Sequence, residues 1–154
     1  MPESWKSRRT RWLFNLYPPF WGSGVRITYL ADDWSEVRVE LRLNWFTRNY
    51  VGTIFGGSMY TAADPFYMVM LVNRLGRDFI VWDKSATIRF QKPGRTTLYA
   101  RFVVDDEELH AIREATAQAR SIDRHYTVEL KDAEGVVHAT VEKTIYIRRK
   151  NPPQ

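Results

Sequence analysis

The sequence predicts an α+β fold in which a six-stranded antiparallel sheet wraps around one long central helix. Three observations predict it. Six segments alternate apolar and polar residues with a period of two, the mark of half-buried strands. Residues 51–73 abandon that period, repeat apolar side chains at three- and four-residue spacing and hold a single charged residue, Asp64. The order is β-β-α-β-β-(α)-β-β with short turns between strand partners, so one apolar helix of about 18 residues, ~27 Å long, has to cover one face of the sheet.

The chain's 154 residues, 44% hydrophobic and 14% aromatic, suit one globular domain over 1–154, with an N-terminal arm at 1–21 and a tail at 149–154. There is no cysteine, which removes disulfides, thiolate chemistry and Cys-ligated zinc. The basic N-terminus is not followed by an apolar core with a small-residue cleavage site, so a cytoplasmic location is expected. The longest apolar run, 54–72, is interrupted by Gly56, Gly57, Ser58, Thr61, Asp64 and Pro65, and no integral membrane segment is expected. A net charge of +5 favours anionic partners in general. The basic residues are dispersed except at the two ends, and no recognition motif accompanies them, so nucleic acid is not expected as a partner.

In the arm, Trp5, Trp12, Leu13, Leu16 and Tyr17 share one helical face until Pro18 and Pro19 stop the helix, and Gly22 to Gly24 make a turn. This helix is expected to pack on its own domain or on a partner subunit, with an anionic membrane surface as the alternative. Residues 24–31 and 35–43 alternate as two strands joined at Asp32 and Asp33. The central helix is expected to start at Gly57 and Ser58, to tolerate Pro65 inside it and to stop at Gly76; the other reading starts it at an Asp64 cap. Residues 79–90 and 96–104 are expected to pair as a hairpin across Lys92, Pro93, Gly94 and Arg95, with the glycine at positive φ. Asp105 or Asp106 caps a helix over 105–119, and two strands, 121–132 and 136–149, flank a turn at 133–135.

No nucleophile elbow, phosphate loop, dinucleotide fingerprint or metalloprotease motif is present, and His110, His125 and His138 fall on a solvated helix or at outward strand positions. What remains is Asp64 and the glycines. A lone carboxylate in an apolar helix is costly unless paired, hydrogen-bonded or protonated, so Asp64 is either a cap, a buried ion pair or a working base. Gly56 and Gly57 either make a tight loop or present backbone N–H groups to a polarised carbonyl oxygen.

The spacing Asn49-x5-Phe55-Gly56-Gly57-x6-Asp64, followed by Val-Trp-Asp-Lys-Ser-Ala-Thr-Ile-Arg-Phe-Gln-Lys-Pro-Gly-Arg at 81–95, resembles the hotdog-fold thioesterases over about residues 15–148. It is most similar to an uncharacterised, thioesterase-like branch, and is related to the phenylacetate-type acyl-CoA thioesterases. The resemblance implies that Asp64 activates water or attacks the thioester, that the Gly57 amide polarises the carbonyl, and that Asn49 places substrate or water. It implies a homodimer with sheets joined edge to edge and sites built from both subunits, in some members paired again as a dimer of dimers. Phe55 stands where these enzymes have histidine and would line an acyl pocket with Gly56, Ser58 and Thr61. Lys84 and Arg89, with Lys92 and Arg95, either meet the phosphates of coenzyme A, which is part of the substrate, or are plain surface charges; no separate cofactor is expected. The alternative is a non-catalytic module that binds an acyl chain, lipid or acyl-CoA, suggested by Phe55 and by Met59, Met68 and Met70.

Overall fold

The computed structural model describes residues 3–150. The elements are α1 (Trp5–Asn15), α2 (Pro18–Ser23), β1 (Val25–Leu30), β2 (Glu36–Leu41), α3 (Gly56–Thr61), α4 (Phe66–Leu75), β3 (Phe79–Phe90), β4 (Leu98–Val103), α5 (Asp106–Gln118), β5 (Ile122–Lys131) and β6 (Val137–Arg149). The six strands form one antiparallel sheet in the order β1-β2-β4-β5-β6-β3, the class and strand number expected. Of the expected tail, residues 151–154 lie outside the described residues, as do residues 1–2 of the arm.

α1 ends before the proline pair as expected, but Pro18 and Pro19 also open α2. They take its first two positions, where a backbone N–H would have no intrahelical partner. Gly24 closes α2 at φ 74°, a left-handed conformation that suits glycine. α1 packs along the free edge of β1 and satisfies its outward backbone groups. Asn15 donates to the Ile27 carbonyl at 3.0 Å and accepts the Ile27 N–H at 2.7 Å, while Glu3 accepts the Leu30 N–H at 2.7 Å. A sheet edge that would otherwise template pairing is thereby blunted.

The central helix is not continuous. α3 ends at Thr61, and α4 begins at Phe66 with Pro65 as its N-terminal cap residue. Pro65 has no N–H to donate and its ring crowds the Thr61 carbonyl, so the expected uninterrupted helix gives way to a break at residues 62–65. The two pieces still cover the inner face of the sheet: Met59, Ala62, Ala63, Met70 and Leu71 are buried. The Phe66 and Tyr67 rings pack on Phe102 with centroids 4.8 and 5.2 Å away, and Tyr67 stacks on Tyr126 at 4.5 Å. Side chains of this kind each stabilise the fold by about 1.5–3 kcal/mol when removed from water.

The expected hairpin of residues 79–90 with 96–104 does not form. β3 pairs with β6 along its whole length, from Phe79 opposite Arg149 to Phe90 opposite Ala139, and β4 lies between β2 and β5. The intervening segment is a crossover. Gly94 is not at positive φ; a Cβ there would sit 2.8 Å from Met59 Cε and 3.1 Å from Ile54 Cδ1, so glycine is needed for close approach to α3. The backbone is locked there by the Ile54 N–H donating to the Gly94 carbonyl at 2.8 Å. The β1–β2 and β5–β6 hairpins, the Asp105 cap and the helix stop at Gly76 are where the sequence places them.

Candidate active site

The break between α3 and α4 holds Asp64 at the edge of the core with its side chain 41% exposed. Behind it lies Lys143 of β6, whose side chain is 0% exposed. The Lys143 ammonium is 3.0 Å from Asp64 Oδ1 and 2.9 Å from Asp83 Oδ1, and it also donates to the Asp64 backbone carbonyl. Asp83 Oδ1 has charge pairing with Lys143 but no aligned hydrogen bond. Burial pushes the Asp83 carboxyl up from its ordinary value, the Lys143 cation opposes this, and the Asp64 charge adds to it. Tyr60, one helical turn before Asp64, is pushed up to about 12, first by burial, then by its hydrogen bond to Asp64 and the charges of Asp64 and Asp83. The phenol therefore stays a donor. Asp64 is thus held from behind by the Lys143 ammonium, with the Tyr60 phenol one turn away, while its open side faces solvent, as a base or nucleophile requires.

These partners arrive by register. In β6 the inward positions are Ala139, Val141, Lys143, Ile145 and Ile147, so Lys143 occupies a core site. A bulge between Asp83 and Ser85 shifts the phase of β3, leaving Asp83 opposite Ile145 and bringing its carboxylate onto the same inward face.

Most of the other expected residues gather at the N-terminal end of α3, with Thr61 at its C-terminal end. The Phe55 ring lies against Gly57, where a Cβ would be 2.3 Å from ring atom Cε1, and Gly56 is covered by the Phe90 ring. No side chain caps α3, so the Gly56, Gly57 and Ser58 amides in its first turn are without intrahelical partners. Asn49 is engaged within its own loop: Oδ1 accepts the Val51 and Thr53 N–H groups and Nδ2 donates to Thr53 Oγ1. Asn49, Gly56 and Met59 line a pocket of about 340 Å³ with Phe90, Lys92 and Gly94. Ser58 is buried, and Thr61 Oγ1 donates back to the Gly57 carbonyl at 2.9 Å. Within one chain the structure places Asp64 and the Gly57 amide at opposite ends of α3, whose six residues rise about 9 Å.

The expected phosphate-binding cations divide into two pairs. Lys84 is 2.6 Å from Asp123, and Arg89 is 3.4 Å from Glu142. Lys92 and Arg95 are exposed without an ion pair among the described residues, and Lys92 borders the pocket. His110 and His125 are exposed as expected, but His138 is buried, bridging the Pro93 carbonyl at 3.1 Å and Asp132 at 2.9 Å. Its outward assignment fails because it serves the crossover and the β5–β6 turn.

Lys143, Asp83 and Tyr60 were not singled out by the sequence. Lys143 was legible as a cation at an inward position of an alternating strand, and Tyr60 as a phenol four residues before Asp64. Asp83 was hidden by the bulge and by the assignment of its strand to the wrong neighbour.

The model of a family described as a domain of unknown function, DUF4442, matches residues 6–147. No curated protein matches the chain. Among solved structures, a protein of unknown function from Pseudomonas aeruginosa described as a probable thioesterase superposes with a TM-score of 0.82 at 20% identity, over 97% of this chain and 98% of that one. A thioesterase from Haemophilus influenzae gives 0.68 at 10% identity, over 96% and 93%. The PaaI protein of the Escherichia coli phenylacetic acid degradation operon gives 0.63 at 15% identity, over 96% and 94%. With the fold superposing on thioesterase-type hotdog proteins over more than nine-tenths of the chain and the family model spanning nearly every element, the chain belongs to the DUF4442 family and has the hotdog fold.

Proposed function

We propose that the chain hydrolyses an acyl thioester, with an acyl-coenzyme A as substrate, and that Asp64 is its catalytic carboxylate. The observation that carries this is the Asp64 side chain, open to solvent on one side and held from behind by the fully buried Lys143. Asp64 takes a proton from water as the water oxygen attacks the thioester carbonyl carbon. The carbonyl oxygen, gaining negative charge, accepts from the Gly57 amide; the C–S bond then breaks and coenzyme A leaves with the proton that Asp64 returns. Direct attack by the Asp64 carboxylate instead breaks the C–S bond, expelling coenzyme A as a thiolate that takes its proton from solvent, and leaves an acyl-enzyme anhydride that water opens to the free acid and Asp64. The names of the structural neighbours support this chemistry, and the Lys143 pairing supports an oriented Asp64.

The same reading includes a homodimer. β3 is a 12-residue edge strand, whereas the opposite edge at β1 is covered by α1. A second copy joined along β3 would bring the Asp64 end of one chain toward the Gly57 end of the other. Lys92 and Arg95 are the better candidates for coenzyme A phosphates, because Lys84 and Arg89 are already paired. The test is hydrolysis of a panel of acyl-CoAs by the parent and by Asp64→Asn: turnover falls at least about 100-fold, and equal rates would remove Asp64 from the mechanism.

One observation favours a second reading, a binding module without turnover. The Phe55 ring rests on Gly57, and Asn49 is occupied by its own loop. Saturable acyl-CoA binding by the parent with no thiol release would select it.

A further inference from the structure

α1 is turned inside out relative to an ordinary surface helix. Its inner face is polar: Ser7 is buried against Asp32, Asn15 bonds the β1 edge, and Phe14 alone packs apolar surface inward. Its outer face carries Trp5, 72% exposed, Trp12, 62% exposed, Leu13 and Leu16, with the Arg9 guanidinium 5.2 Å above the Trp5 ring. The face continues past α1. Trp21 of α2 is exposed and contacts Phe46 with ring centroids 6.0 Å apart, and the loop after β2 exposes Trp45 at 88% together with Tyr50 and Val51. A chain with a net charge of +5 has no reason to expose so many large apolar side chains together unless something covers them.

The charge on this face is of one sign. No acidic residue occurs between Glu3 and Asp32 or between Glu40 and Asp64, the two segments that supply the face. Glu3 is spent on Arg11, and Glu40 on Arg26 and Arg42. Arg8, Arg9 and Arg48 have no ion pair among the described residues. A two-fold contact between copies through this face would set these cations against their own equivalents, which disfavours a second chain as the occupant. Exposed tryptophans interleaved with arginines on one helix face match the boundary of an anionic bilayer, where the rings enter the headgroup region and the guanidinium groups meet phosphates.

We propose that α1, α2 and the residue 44–51 loop form a peripheral docking face for an anionic lipid bilayer. No helix among the described residues is long and apolar enough to cross a membrane, so contact is made from one side. The loop leads through Asn49 to Phe55 and the pocket beside α3, so the docked surface lies next to that pocket. The docking face does not depend on hydrolysis.

Co-sedimentation of the full chain with vesicles tests this. The chain is expected to pellet with phosphatidylcholine vesicles containing phosphatidylglycerol, to stay in solution with phosphatidylcholine alone, and to be released by salt. The pair Trp5→Ser and Trp12→Ser, and separately Arg8→Glu and Arg9→Glu, should each weaken retention at least about tenfold with unchanged melting temperature, while Val103→Ser, at an exposed apolar position of β4, should leave it unchanged. Removing the whole arm is the wrong control, since Glu3 and Asn15 hold the β1 edge. The proposal is overturned if anionic vesicles retain nothing. It is equally overturned if retention is blind to both variant pairs, or if the tryptophan pair instead changes the chain's oligomeric mass in the absence of lipid.

Discussion

Lys143 shows how one buried charge sets the properties of its neighbours. Its ammonium is out of contact with water and is neutralised from two sides, by Asp64 and Asp83. Asp64→Asn therefore leaves Lys143 one anion, and the variant should fold, with a melting curve close to the parent's. Replacing both aspartates by asparagine strands the cation and should cost about 3–5 kcal/mol, measurable by urea unfolding. Glu36 gives a pH counterpart away from the site. The Arg101 guanidinium, bonded at 2.8 and 3.1 Å, and then Arg38 hold its carboxyl at about 2, against an ordinary 4.5. Because the folded value is depressed, its stabilisation is present above pH 4.5 and is lost as pH falls toward 2. Arg101→Gln should flatten the loss of stability across that window in acid titrations followed by circular dichroism. At this scale the sequence exposed Asp64, because a lone charge in an apolar run stands out. It did not expose Asp83, whose role depends on which strand lies beside it.

The elements were legible wherever the signal is local. Alternation set the strands, an aspartate set the cap of α5, and glycines at 76 and 135 set a helix stop and a turn. The two corrections are both questions of what a short segment connects. Pro65 reads equally as a tolerated kink or as a boundary, and only packing decides; the break it makes is what lifts Asp64 out of the core. Lys92, Pro93, Gly94 and Arg95 have the composition of a hairpin turn. Yet the seven residues between β3 and β4 can span about 23 Å when extended. That exceeds the three strand spacings, about 14 Å, that separate β3 from β4. Turn chemistry therefore cannot tell a hairpin from a crossover. Gly94→Ala should cost about 1–3 kcal/mol through overlap with Met59 and Ile54, and adding Met59→Ala should recover part of that loss in thermal melts.

For the whole molecule, two edges of one sheet have different fates. β1 is capped by Asn15 and Glu3, and β3 offers 12 residues of strand with Trp82 exposed on it. Sedimentation velocity should accordingly give a species of twice the 18.2 kDa chain mass, and a single-chain mass at micromolar concentration would contradict edge pairing. Such pairing also bears on chemistry, because the Asp64 and Gly57 ends of α3 are apart within one chain. The proposed chemistry requires Asp64 to act on a thioester. Release of free thiol from acyl-CoAs by the parent and by folded, equally dimeric Asp64→Asn decides it. Turnover in the parent and a loss of at least about 100-fold in the variant are expected; equal turnover in the two would exclude Asp64 as the catalytic carboxylate, and no turnover in a parent that binds acyl-CoA would exclude hydrolysis.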